Sequence, residues 1–366
     1  MKSNLCSLLI FIFAFIFANA QYAAAAGNVD GELLTVEKED LSDPINIQLG
    51  VRVDYQRDYR SGDAYKDNCG FKGKYLMLDI SGNITEKFSY VYRQRLNVIH
   101  TNANFFDGTD QLKLMYRFDK RWDVTAGKMS MAFGSMEYQY DPLEMYMYSE
   151  WGGSIPCYKF GVSLGCNITP TDRVVLQFHE SPFDKRNMDL YAYTFAWYGN
   201  HNWFNTVYSA NVLEYMPGKF IYYLGLGHKF DFEHVTIDFE YFNRATANHT
   251  FFFKDFSIVG QVAWHPNDRW NFYGKATYGL NNTGDLADEC VVDGTDITQL
   301  GAGVEFCPIR NYDKLRIHAA YGYSFGKNGK IDSELQDDRH YVSVGLLWRM
   351  DVVKIVKDIW NKAKKK

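Results

Sequence analysis

Long hydrophobic runs are missing from this chain. Beyond its first twenty residues nothing approaches the roughly eighteen apolar residues that a membrane-spanning helix needs, and the mean hydropathy is -0.33, which excludes a helical membrane bundle. Proline is scarce, with 8 residues in 366 against 29 glycines, a composition that favours a barrel over a soluble exported protein. Cysteine is also sparse, with 6 residues, and Cys6 lies in the leader. The remaining Cys69, Cys157, Cys166, Cys290 and Cys307 are odd in number and cannot all pair within one chain, and no C-x-x-C spacing supports a zinc site. A Cys69–Cys290 disulfide stays open, because both fall in loops expected at the same end of the molecule. A net charge of -5 is too mild to point to nucleic acid, and no cofactor motif is present.

Aromatic residues, by contrast, are abundant: Tyr 27 and Phe 27 bring the aromatic share to 17%. The chain opens with Lys2, an apolar stretch from Leu8 to Phe17 and then Ala18-Asn19-Ala20, the pattern of a cleaved export signal. The mature chain is therefore expected to begin near Gln21, outside the cytoplasm.

From Ile45 to Met350 a pattern of about ten residues alternating apolar and polar keeps returning, and period two means strand. In the first repeat Ile45, Ile47, Leu49, Val51, Val53 and Tyr55 share one face, while Asn46, Gln48, Arg52, Asp54 and Gln56 share the other. About sixteen such segments are expected, the even number that a closed bacterial barrel requires. Ten residues at about 3.3 Å each, tilted, match the apolar band of an outer membrane.

Alternation alone does not separate a membrane barrel from a soluble sandwich. Connection lengths do: short turns such as Asp119-Lys120-Arg121 and Asp231 to Glu233 alternate with longer breaks, except at Met216-Pro217-Gly218. Trp122, Trp197, Trp203, Trp264, Trp270 and Trp348 all fall at strand ends on the short-turn side, where interfacial indoles collect.

The longest connection, Ser130 to Pro156, is rich in Met, Tyr and Trp, which argues against a freely solvated loop. It is expected to fold into the barrel and narrow it, the alternatives being a cap on the outer mouth or a contact with a neighbouring subunit. Strand parity points Arg52, Arg93, Arg95, Lys113 and Arg117 into the lumen, with basic side chains dominating one wall. Glu137, Asp141, Glu144 and Glu150 of the long connection would face Arg93, Arg95, Lys113 and Arg117 and set up a transverse field. Lys128 breaks the parity rule: it sits either past the membrane edge or after a bulge.

Residues 74–137 resemble the phosphate-selective porin O and P family. The resemblance rests on Lys74-Tyr75-Leu76-Met77-Leu78-Asp79-Ile80-Ser81-Gly82-Asn83-Ile84, Thr85-Glu86-Lys87-Phe88-Ser89-Tyr90, Val124-Thr125-Ala126-Gly127-Lys128-Met129 and Phe133-Gly134-Ser135-Met136-Glu137. It implies a sixteen-stranded, trimeric porin of the Gram-negative outer membrane with its third loop inside the channel, and it raises the expectation of anion passage. The sequence departs from the family at the constriction, where the loop carries acids and no lysine run.

Four segments are expected: a signal peptide at 1–20, a periplasmic lead-in at 21–44, the barrel at 45–350 and an amphipathic periplasmic tail at 351–366. An acidic outer loop with Asp285, Asp288, Glu289, Asp293 and Asp296 reads as solvated, with a cation site bridging to lipopolysaccharide as the alternative. The reading as a whole is an all-β, transmembrane antiparallel barrel for passive diffusion of small hydrophilic solutes or anions, in contact with outer-membrane lipid and lipopolysaccharide. No catalytic residue and no metal are assigned. Two other functions stay open: an adhesin or structural barrel with a blocked lumen, and a barrel hydrolase, for which His179 and His318 lack an evident nucleophile partner.

Overall fold

The computed structural model describes residues 44–98, 105–184, 189–248 and 252–364. The expected leader and the lead-in up to residue 43 lie outside the described residues. Sixteen long strands run in chain order: β1 (Asn46–Arg60), β2 (Gly70–Asn83), β3 (Phe88–Arg95), β4 (Thr109–Arg117), β5 (Trp122–Ser130), β6 (Tyr158–Asn167), β7 (Asp172–Glu180), β8 (Tyr191–His201), β9 (Phe204–Met216), β10 (Lys219–Asp231), β11 (Val235–Thr246), β12 (Asp255–Asn267), β13 (Trp270–Asn281), β14 (Thr295–Phe306), β15 (Leu315–Lys327) and β16 (Arg339–Asp351). A two-residue strand, Asp63–Ala64, extends the β1 hairpin.

Each long strand pairs antiparallel with the next, and β16 pairs with β1 from Gln48 opposite Asp351 to Arg60 opposite Arg339. That last ladder closes the sheet, so no edge is left to recruit another chain. Both β1 and β16 thus have their chain-terminal ends at one end of the barrel, the inner end. Turns there are tight: at 118–121 the Asp119 carboxylate accepts the backbone N–H groups of Arg121 and Trp122 at 2.7 and 2.9 Å. Those two bonds hold this exposed carboxyl below the usual aspartate range.

Burial along the strands is inverted relative to a water-soluble protein. On β1, Arg52, Asp54, Gln56 and Asp58 are buried and alternate with exposed Val53 and Tyr55. Leu112, Leu114, Leu176, Val262, Leu300 and Val344 stand exposed on the outer surface. A chain that buries charge and exposes leucine and valine along its strands is stable only where hydrocarbon is the outer solvent.

Register shifts also fall at Arg93/Gln94, Glu214/Met216 and Trp264/Asn267, and two further irregularities bear on residues singled out in the sequence. Arg52 pairs with Tyr75 while Val53 pairs with Gly73, so Lys74 is an extra residue at a bulge, and both Lys74 and Tyr75 border the internal cavity. Gly127 has φ +125°, and a Cβ there would meet the carbonyl of Leu112, so only glycine fits. The next residue, Lys128, stays across from Leu112 and Phe160, but its long side chain donates to the Phe106 carbonyl at 2.6 Å and reaches the edge of the internal cavity.

Cys69 and Cys290 are both free thiols, so the disulfide left open from the sequence does not form. The acidic outer loop at 282–294 is partly buried, not solvated as expected: Asp285 and Asp288 accept the backbone N–H groups of Ala287 and Cys290, and Asp288 pairs with buried Arg244 at 2.6 Å. No metal-holding cluster is found among the described residues.

Candidate functional site: the lumen and its inserted loop

The connection between β5 and β6, residues 131–157, lies inside the barrel. It begins where two backbones touch: a Cβ on Gly134 would overlap the Gly225 carbonyl of β10. Gly134 donates its N–H to Ser209 Oγ at 2.7 Å, and the next hydroxyl, of Ser135, donates to Glu240 at 2.6 Å. Glu240 also accepts the backbone N–H of Glu137, whose carboxylate receives the Lys275 ammonium at 2.6 Å. Both partners of that ion pair are 3% exposed. Farther along, the Tyr140 hydroxyl donates to Asp238 and the Tyr146 hydroxyl to Glu305 at 2.7 Å. The short helix α1 (Glu150–Ser154) ends the crossing, where Glu150 accepts from Ser333 and Asn328 of the last outer loop. Burial pushes the Glu150 carboxyl up despite those bonds.

Aromatic packing fills one side of the lumen. Trp151 stacks on Phe242 with ring centres 3.9 Å apart, and Phe133 meets Trp151 edge-on at 5.3 Å. Leu213, Ile221 and Tyr223 of the wall and Ala287, Cys290 and Val291 of the acidic loop complete this dry cluster. The water space is therefore displaced toward the opposite wall. It is one continuous cavity of about 1420 Å³, bordered by Lys330 and Glu334 near the outer mouth and by Asn202, Asp231 and Lys314 at the inner end.

On the open side of the lumen the loop's carboxylates meet arginines. Asp141 contacts Arg349 at 3.2 Å and Arg93 at 3.8 Å, and Arg93 also holds Asp79. Glu144 bridges Arg349 at 2.6 Å and Arg316 at 3.1 Å. Arg52 lies over the Tyr146 ring, bonds Asp54, and donates to the carbonyl of Met145 at 2.7 Å.

These contacts revise the sequence expectation of a transverse field. Of the four loop acids only Asp141 faces one of the expected arginines, Arg93. Glu137 is spent on Lys275, Glu144 on Arg316 and Arg349, and Glu150 on Ser333 and Asn328. Arg95 borders the cavity and pairs with Asp110 at 2.8 Å, whereas Lys113 and Arg117 do not border it. Counted over the whole cavity, loop included, eleven basic and eleven acidic residues line it, so its charge is balanced overall. Arg349 and Arg339 escaped the sequence reading although parity carried the signal, since exposed Val342, Val344 and Leu346 place the odd-numbered residues of β16 inside. Lys74 could not have been found that way, because the bulge that turns it inward has no mark in the pattern.

A closed sixteen-stranded barrel with an apolar exterior, a charged lumen and a loop folded across it defines a porin of the outer membrane. Within that class, residues 45–200 match the family described as phosphate-selective porin O and P, the family that the sequence resembles. No curated protein matches the chain. Among solved structures it is similar to OmpT of Vibrio cholerae, at 12% identity and TM-score 0.57 over 84% of this chain and 97% of that one. It is similar also to the anion-selective porin from Comamonas acidovorans, at 8% identity and TM-score 0.60 over 84% and 99% of the two chains. A third is the outer membrane channel DcaP of Acinetobacter baumannii, at 11% identity and TM-score 0.57 over 83% and 97%. At such identities the likeness concerns the fold.

Proposed function

We propose that the chain, exported with loss of residues 1–20, is a water-filled pore for passive diffusion of small hydrophilic solutes with weak preference for the sign of their charge. The observation that carries this reading is the continuous cavity, lined by many charged side chains and bordered by residues from both ends of the barrel. Equal numbers of basic and acidic groups, with arginines paired to the loop's carboxylates, favour polar solutes over ions of one sign. The anion preference implied by the family resemblance would be exposed only when Asp141 and Glu144 are neutralised. A homotrimer in contact with lipid and lipopolysaccharide is the assembly we propose; a solved form of OmpT of Vibrio cholerae is described as a trimer.

Catalysis is not part of this reading. His318 contacts Asp54 at 3.1 Å and lies against the Tyr146 ring, His179 bonds Thr194 at 3.3 Å, and neither borders the cavity. Recording from the full-length protein in a planar bilayer tests the proposal. Stepped currents with a reversal potential near zero under a salt gradient are expected. A folded barrel that carries no current would replace it with the blocked-lumen reading.

A further inference from the structure

We infer that the carboxyl-terminal helix is a lipid-binding element that lies on the periplasmic leaflet of the membrane that the barrel spans. Helix α2 (Val352–Lys364) follows β16 without a linker, and the Asp351 carboxylate caps it by accepting the Lys354 N–H at 2.9 Å. At 100° per residue Val352, Val356, Ile359, Trp360 and Ala363 fall on one side, and Lys354, Lys357, Asn361 and Lys364 on the other. The apolar side is uncovered: Val356 is 59% exposed, and Ile359 and Trp360 are each 63% exposed.

Two features identify what covers it. The first is position. The helix leaves the barrel three residues after Trp348, at the end where Trp122, Trp203, Trp264 and Trp270 also stand, so it starts at the level where the bilayer changes from hydrocarbon to headgroups. The second is charge: Lys354, Lys357, Lys362 and Lys364 are followed in sequence by Lys365 and Lys366, against a single Asp358. A lysine-rich polar side, an apolar side ending in tryptophan and a length of about 20 Å describe a helix lying in an anionic interface. No helix among the described residues is long and apolar enough to cross a membrane, so α2 does not span it. The Lys364 ammonium sits 5.3 Å from the Trp360 ring centre, as a lysine reaching past an aromatic toward headgroups would.

The test uses full-length protein in nanodiscs of phosphatidylcholine with phosphatidylglycerol, with and without brominated acyl chains. The emission of Trp360 is read as the difference between the wild type and Trp360→Phe. Brominated lipid is expected to remove most of that difference signal, and Lys354→Glu with Lys357→Glu and Lys362→Glu, or high salt, to restore part of it. A Trp360 signal indifferent to brominated lipid would overturn the inference, whether a second copy, the lead-in or water covers the helix. Channel recordings of a chain ending at Asp351 separate this outcome from the pore reading: unchanged conductance is expected, because the helix borders no part of the cavity.

Discussion

The lumen is built from charges that would be costly if any partner were removed. Lys275 is the counter-ion for Glu137 and stands close to Glu240, all three buried within the barrel. Replacing it by Met leaves two carboxylates without compensation, and about 3–5 kcal/mol of stability should be lost, measured by denaturant unfolding in detergent. A charge-conserving Lys275→Arg should recover part of that loss. Glu150 tests the opposite end of the loop. Burial raises its pKa, so it contributes stability that is present below the ordinary glutamate range and lost as the pH rises through its raised value. Relative to Glu150→Gln, the wild type should therefore gain in unfolding midpoint as the pH falls from about 7 to about 4. An identical pH profile for the two proteins would show that the carboxyl does not titrate in the folded loop.

At the scale of elements, the strands and the inserted loop obey different rules. A strand in a closed barrel has all its backbone groups paired by its neighbours, so its position follows from alternation and turn chemistry. The loop is held by a few contacts far apart in sequence, and the tightest is the touching of Gly134 and Gly225. A valine at Gly134 would meet backbone atoms that cannot yield. Gly134→Val should push the loop from its seat, raising single-channel conductance and shortening open-channel noise-free periods while leaving the barrel folded. An unchanged conductance would mean that the loop is positioned by the ion pairs alone.

For the whole molecule, the balance of charge across the cavity decides what passes. Neutralising Asp141 and Glu144 together, as Asp141→Asn with Glu144→Gln, releases Arg93, Arg316 and Arg349 from carboxylates that they now contact. The reversal potential in a salt gradient should then move toward that of an anion-selective pore. A shift in the cation direction would show that the arginines are not exposed to permeating ions.

Strand number, chain direction, the apolar exterior and the aromatic inner rim were legible in the sequence, because hydrocarbon outside and water inside impose a period of two on every crossing. The polar side of β1 could likewise be read residue by residue, whereas on β3 the register shift at Arg93/Gln94 buries Gln94 against parity. What the inserted loop touches could not be read, since contacts such as Glu144 with Arg349 join residues more than two hundred positions apart and depend on where the loop comes to rest. The bulge at Lys74 and the close approach at Gly134 leave no periodic trace. The sequence by itself thus determined the barrel, a structure of local repetition set by its solvent. Only the tertiary structure decided the electrostatics of the pore, because Coulomb interactions fall with distance in space and take no account of distance along the chain.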